Sequence, residues 1–202
     1  MRDAATLSSV IKAYDIRGVY PGDFDEGFFE DLGRAFVTML GESGEKPTAV
    51  VIGHDMRPSA HDIVPAFAKG VTSTGVDAIV IGLCSTDGLY FASGSLGLPG
   101  AMFTASHNPA RYNGVKLCRA FAAPVGRDTG LSRITELMQQ PAPASAAIPG
   151  QVTHRDLLAD YATFLHSCVN FTGGRALKVA VDAGNGMGGL TVPAVFEGLL
   201  LE

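Results

Sequence analysis

Tryptophan is absent from the 202 residues, charged side chains reach only 17%, and net charge is −5. No run of lysines or arginines occurs. Non-specific nucleic-acid binding needs clustered positive charge, so the composition argues against it and no nucleic-acid partner is expected. Small phosphate-bearing molecules are not, because they need only a local positive site. No apolar run reaches bilayer-spanning length and no secretory apolar stretch opens the chain, so no membrane partner is expected and the cytoplasm is the expected location. Cysteine is scarce. Cys84, Cys118 and Cys168 are odd in number and far apart, and they fit neither a zinc spacing nor a disulfide framework. Each lies in or beside an apolar segment, which predicts buried free thiols in a reducing compartment. Hydrophobic residues are plentiful at 47%, enough for a real core in a chain whose length bounds it to one or two domains.

The order of apolar segments predicts an α/β fold. Residues 1–9 read as loosely ordered. Asp25 is a good N-cap for a helix whose Phe29, Leu32, Phe36 and Leu40 recur at helical spacing. The run 48–53 reads as a strand buried on both faces. Ser59 is placed to cap a helix over 60–74, with Pro65 expected to kink it or shift its start. A second buried strand covers 76–81. Strand, helix and strand of these lengths make a βαβ unit with parallel strands. A helix over 87–95 follows, then a strand-like run at 100–103. The path through Asn113-Gly114 suggests a turn into an antiparallel strand at 115–118. Asp128 is expected to cap a helix to about Gln140. The stretch 141–150, rich in Pro and Ala, reads as a linker. Beyond it, Leu157, Leu158, Tyr161, Phe164 and Leu165 mark a helix, 176–181 a strand, and Val192, Val195, Phe196 and Leu199 a last helix. One strand and two helices make a poor domain by themselves. The expected division is therefore 1–140 as domain one, 141–152 as linker, and 153–202 as the beginning of a second α/β domain cut short. Domain one is expected to be a mostly parallel mixed sheet sandwiched by helices.

The chemistry centres on Thr104-Ala105-Ser106-His107-Asn108-Pro109, a polar loop between two apolar runs. Ligands in open α/β sheets gather at the carboxyl ends of strands. His54 to Arg57, Ser85 to Asp87 and the Ser106 loop all follow strands and converge on that edge. Neighbouring side chains usually diverge, so no Ser106–His107 dyad is expected. Asn108 is better suited to pinning the loop than to reacting. Asp55 and Arg57 can pair with each other or cap a helix, and Asp15 and Asp182 read as structural turn residues. No G-x-S-x-G elbow surrounds Ser106, which argues against a serine hydrolase.

Four segments in order resemble the α-D-phosphohexomutase family, the phosphomannomutases and phosphoglucomutases. Ala13-Tyr14-Asp15-Ile16-Arg17-Gly18 resembles its Y-D-I-R-G segment. Gly53-His54-Asp55-Met56-Arg57-Pro58-Ser59 resembles its G-x-D-x-R-x-S segment. Thr104 to Pro109 with Tyr112 to Lys116 resembles its phosphoserine loop, and Val181 to Gly186 the opening of its second domain. His54 and Thr86-Asp87 depart from the residues common there. The resemblance implies a phosphotransferase of the isomerase class, interconverting hexose 1-phosphate and 6-phosphate through a phosphoserine and a bisphosphate intermediate. The catalytic set it implies is Ser106 as phosphoserine, Lys116, Arg17 and His107, with Tyr14, Asn108 and Arg57 binding phosphate or substrate. It implies Mg²⁺ held by Ser106 through its phosphate, glucose 1,6-bisphosphate as activator, and a hexose phosphate substrate. The family's D-G-D-x-D-R metal loop is not in this sequence. The chain is thus expected to be the N-terminal part of a longer enzyme, inactive without its C-terminal domains. A non-catalytic phosphosugar-binding module of the same fold is the alternative.

Overall fold

The computed structural model describes residues 2–170 and 175–200. Its centre is a seven-stranded mixed sheet in the order β1-β5-β4-β2-β3-β7, with β6 paired to β5. The strands are β1 (Ile16–Val19), β2 (Ala49–His54), β3 (Asp77–Leu83), β4 (Gly100–Phe103), β5 (Tyr112–Arg119), β6 (Ala123–Pro124) and β7 (Val152–His154). Pairing is parallel from β4 through β2 and β3 to β7, and antiparallel where β5 meets β4, β1 and β6. The α/β class and the βαβ unit stand as expected.

The helices are α1 (Ala4–Val10), α2 (Glu26–Glu42), α3 (Ala60–Thr72), α4 (Thr86–Leu96), α5 (Leu131–Met138), α6 (Leu158–Cys168) and α7 (Gly188–Phe196). The main core lies on one sheet face, where Phe28, Phe29 and Phe36 of α2 and Phe67 of α3 meet Val50, Ile52, Ala101 and Phe103. On the other face, Leu89 and Ala92 of α4 pack on Val51 and Met102. Strand side chains alternate between faces, so the central strands β2 and β4 are apolar on both faces up to His54, the last residue of β2. Helices α2 and α3 touch backbone to backbone. A Cβ on Gly70 would stand 2.1 Å from the Glu30 carbonyl oxygen, and one on Gly33 2.4 Å from that of Phe67.

Several local expectations give way. Residues 4–10 are a helix, because the Asp3 carboxylate accepts from the Ala5 and Thr6 amides while Leu7 and Val10 are buried. Asp25 caps α2 through the Phe28 amide as expected, but Ser59 makes no side-chain cap. Its Oγ instead accepts from Asn113 Nδ2 at 2.7 Å. Helix α3 continues past Pro65. Asn113-Gly114 is no turn; both residues lie inside β5, opposite Gly18 and Arg17 of β1. Asp128 sits in a short 3₁₀ turn, and α5 starts after Gly130. The stretch expected as a linker lies back on α3, with Ala146 N–H bonded to Ser73 O and Gly150 N–H to Thr72 O. Strand β7 then joins the sheet beside β3, straddling the boundary expected at residue 152. Residues 176–181 form no regular strand; Leu177 makes a single bridge, its N–H bonded to Leu200 O at 3.1 Å. Cys118 is buried, Cys84 half-buried, and Cys168 exposed, contrary to expectation. The parts of the C-terminal segment at 171–174 and 201–202 lie outside the described residues.

Candidate active site

Parallel pairing puts the loops after β2, β3 and β4 on one edge of the sheet, as the sequence implied. They are stitched together: Asp55 N–H bonds Phe103 O and Cys84 N–H bonds His54 O, both at 2.9 Å. The loop after β3 otherwise serves locally, with the Ser85 hydroxyl accepting from Gly88 N–H to cap α4.

The Ser106 loop is held from beneath by a buried ion pair. Arg57 and Asp55 are 7% and 5% exposed, and Arg57 Nε donates to Asp55 Oδ2 at 3.1 Å. The other four guanidinium N–H groups end on loop carbonyls. Nη1 donates to Pro109 O at 2.8 Å and Tyr112 O at 2.9 Å. Nη2 donates to Ser106 O and Asn108 O, each at 2.8 Å. The planar fork of arginine carries five donors, and all five are used inside the protein. Arg57, expected among the phosphate-binding residues, is therefore a loop clamp here. Its pairing with Asp55 is the structural role the sequence had left open.

A second chain of bonds reaches the serine itself. Thr104 Oγ1 donates to Asp55 Oδ2 at 2.7 Å and accepts from Ser106 N–H at 2.9 Å. Asn108 Nδ2 donates to Ala105 O at 2.9 Å, pinning the loop. Ser106 has φ of 55°, a left-handed conformation that a residue with a Cβ adopts only when its surroundings hold it there. The hydroxyl is exposed. His107 Nδ1 lies 3.4 Å from Ser106 Oγ, at the long end of hydrogen-bonding range. Thr104 was missed as a site residue; the legible signal is its position two residues before the serine, where its hydroxyl can close a turn.

Arg17 and Lys116 come together beside this loop. Strand register pairs Arg17 with Gly114, whose carbonyl accepts from Thr104 N–H at 3.1 Å. Gly114 lets β1 approach closely: a Cβ there would stand 2.0 Å from Ile16 O. Alternation buries Ile16 and Val115 in the main core and turns Arg17 and Lys116 to the opposite face. Asp15 joins them. Its Oδ2 lies 2.5 Å from Arg17 Nη2 and 3.2 Å from Lys116 Nζ. Arg17 Nε is buried without a hydrogen-bond partner, an exception among buried polar atoms. Tyr14 is 80% exposed. Among titratable groups near this edge, burial pushes the Cys84 thiol up to about 12. It is protonated at neutral pH and is no competing nucleophile.

Among the described residues no three or more His, Cys, Asp or Glu side chains come together as a metal site. The one metal ligand the sequence supplied is Ser106, through its phosphate. No helix among them is long and apolar enough to cross a membrane.

Comparison with known proteins agrees with the four segments. A phosphomannomutase of Escherichia coli is 38% identical over 196 residues, covering 94% of this chain and 41% of that protein. A phosphohexose mutase of Xanthomonas campestris pv. campestris is 38% identical over 193 residues, covering 95% and 42%. The chain thus spans about two fifths of the length of these curated relatives. The crystal structure of a phosphoglucomutase/phosphomannomutase family protein from Burkholderia thailandensis superposes with a TM-score of 0.85 at 29% identity, covering 100% of this chain and 43% of that one. Residues 8–144 match the family described as phosphoglucomutase/phosphomannomutase, alpha/beta/alpha domain I. With that match across most of its length, the chain belongs to the phosphoglucomutase/phosphomannomutase family.

Proposed function

We propose that this chain carries the phosphoryl-accepting part of a phosphohexomutase. Phosphorylated Ser106 gives its phosphoryl group to the free hydroxyl of a hexose monophosphate, and Ser106 Oγ then takes the other phosphoryl group from the hexose bisphosphate so formed. When the serine is loaded from a bisphosphate, an O–P bond forms at Ser106 Oγ while the sugar's O–P bond breaks, and the serine proton passes to the departing sugar oxygen. The reverse step, onto the free hydroxyl of a hexose monophosphate whose phosphate sits at the other position, restores the bisphosphate, and that hydroxyl's proton passes to the released Ser106 Oγ. Phosphoryl transfer depends on positioning and charge stabilisation more than on covalent activation. The observation that carries the reading is the conformation of the loop. An exposed serine at φ 55° is held by a fully committed buried arginine, next to the Arg17–Lys116 pair. Arg17 and Lys116 supply the positive charge, and His107 faces the hydroxyl from the side. Glucose and mannose phosphates are the substrate class, with glucose 1,6-bisphosphate as the phosphoryl donor and Mg²⁺ as the ion accompanying it.

The test is intact-mass analysis after incubation with glucose 1,6-bisphosphate and Mg²⁺. The expected result is a gain of one phosphoryl group, absent in Ser106→Ala. No gain at Ser106 in a protein of the relatives' full length overturns the reading and favours a binding module instead. Conversion of mannose 1-phosphate to mannose 6-phosphate is not expected of this chain by itself. The described residues offer no carboxylate cluster for the metal, and the relatives are more than twice as long.

A further inference from the structure

Arg17 and Lys116 share a single carboxylate oxygen, Asp15 Oδ2, at 2.5 and 3.2 Å. Asp15 is the more deeply placed of the three: its side chain is 12% exposed, against 25% for Arg17 and 27% for Lys116. One negative charge thus occupies the spot where two positive charges converge, beside the loop that presents Ser106. Neither cation is saturated by it. Among the described residues Arg17 spends only Nη2 on Asp15, and its Nε is buried with no acceptor at all. A guanidinium holding one bond to a carboxylate and leaving a buried N–H idle is not in its best arrangement. A phosphoryl group offers three oxygens and matches the planar fork two bonds at a time, whereas an ammonium meets it as a point charge.

We propose that Asp15 is a positioning residue acting as an internal counter-anion. Its carboxylate holds Arg17 and Lys116 together in the empty site, then surrenders Arg17 to the phosphate of an incoming hexose phosphate while keeping Lys116. The proposal rests on the reading of Ser106 as phosphoryl carrier only for its kinetic consequence; the binding consequence stands without it. Asp15 competes with the ligand for Arg17, so it weakens phosphate binding. It also aims both cations, so it speeds transfer. A residue that merely supports the fold would move both quantities in the same direction.

The experiment compares the chain with Asp15→Asn in two measurements. The first is the affinity for inorganic phosphate and for glucose 6-phosphate, followed by ³¹P NMR titration. Removing one unit charge about 7 Å from the ligand through a solvent-like medium should tighten both by about threefold for each unit of ligand charge, and added salt should shrink the difference. The second is the rate of Ser106 phosphorylation by glucose 1,6-bisphosphate, which should fall at least about tenfold although the anion binds better. Unchanged or weaker phosphate binding in a folded Asp15→Asn overturns the proposal, as does undetectable binding in both proteins. Tighter binding with undiminished phosphorylation overturns the aiming half. If Ser106 accepts no phosphoryl group even in an unaltered protein of the relatives' full length, the mutase reading fails while the titration still decides the role of Asp15. Asp15→Ser removes the same charge and takes the place of Asp15→Asn should that variant not fold by circular dichroism. Failure of both to fold overturns the proposal in favour of a structural role.

Discussion

Replacing Arg57 by methionine tests the loop clamp most directly. The change keeps much of the side-chain volume and removes five donated hydrogen bonds. Asp55, 5% exposed, would keep Thr104 Oγ1 and the residue-57 amide as donors but lose its cationic partner. Breaking a buried ion pair from one side costs about 3–5 kcal/mol. Counting five charge-assisted bonds at about 1.5–3 kcal/mol each gives a larger sum. That sum overstates the effect, because the carbonyls of an exposed loop can bond water once released. We expect a loss of about 4 kcal/mol, and for a chain of this size a melting temperature lower by about 8–16 °C. Urea unfolding followed by circular dichroism measures the first, and a thermal scan the second. The double variant Asp55→Asn/Arg57→Met should recover about 1–3 kcal/mol, because the uncompensated charge is gone. It should not recover phosphorylation of Ser106, since nothing then gathers the carbonyls of residues 106, 108, 109 and 112. A loss below about 1 kcal/mol for Arg57→Met, or full phosphorylation in the double variant, would refute the clamp.

Other outcomes follow from the core and the thiols. Gly70→Ala drives a Cβ to 2.1 Å from the Glu30 carbonyl oxygen, so α2 and α3 must separate. The cost should be at least the about 1–3 kcal/mol of ordinary overpacking, read from the urea midpoint, and a neutral change would mean the helices are not in backbone contact. At pH 8 an aromatic disulfide reagent should titrate Cys168 at once in the native chain and all three cysteines in urea. Burial raises Cys84 from the ordinary 9.0 to about 12. Its contribution to stability is thus present below pH 9 and lost as pH rises from 9 toward 12, because the unfolded thiol ionises first. Cys84→Ala should flatten that alkaline decline in a series of urea melts; an unaltered slope would contradict the burial.

Arg57 shows where reading residues in order stops. Its place between two strand-like runs put it at the ligand edge, and there it lies. Whether its fork faces a ligand or the protein is settled by the carbonyls of residues more than forty positions away, which no local pattern announces. Asp15 is a similar case. Its neighbours in sequence made it a turn residue, and only the antiparallel pairing of β1 with β5 brings it to Lys116, 101 residues on. The misplaced Asn113-Gly114 turn has the same origin. Asn-Gly favours a turn locally, but here Asn113 is fully buried and bonded to Ser59, and Gly114 is needed for the approach of β1.

By itself the sequence determined the α/β class, the capped α2 helix, the parallel β2–α3–β3 unit, the serine loop on its carboxyl edge, and the family. These follow from hydrophobic period, capping chemistry and short contiguous motifs, which act over a few residues. Tertiary structure alone decided the return of residues 141–154 onto the sheet, the glycine contact of α2 with α3, the left-handed serine, and the partners of Arg17, Lys116, Asp55 and Arg57. Each depends on groups distant in the chain meeting within hydrogen-bonding or van der Waals range, and that proximity is created by the packed sheet, not by local preference.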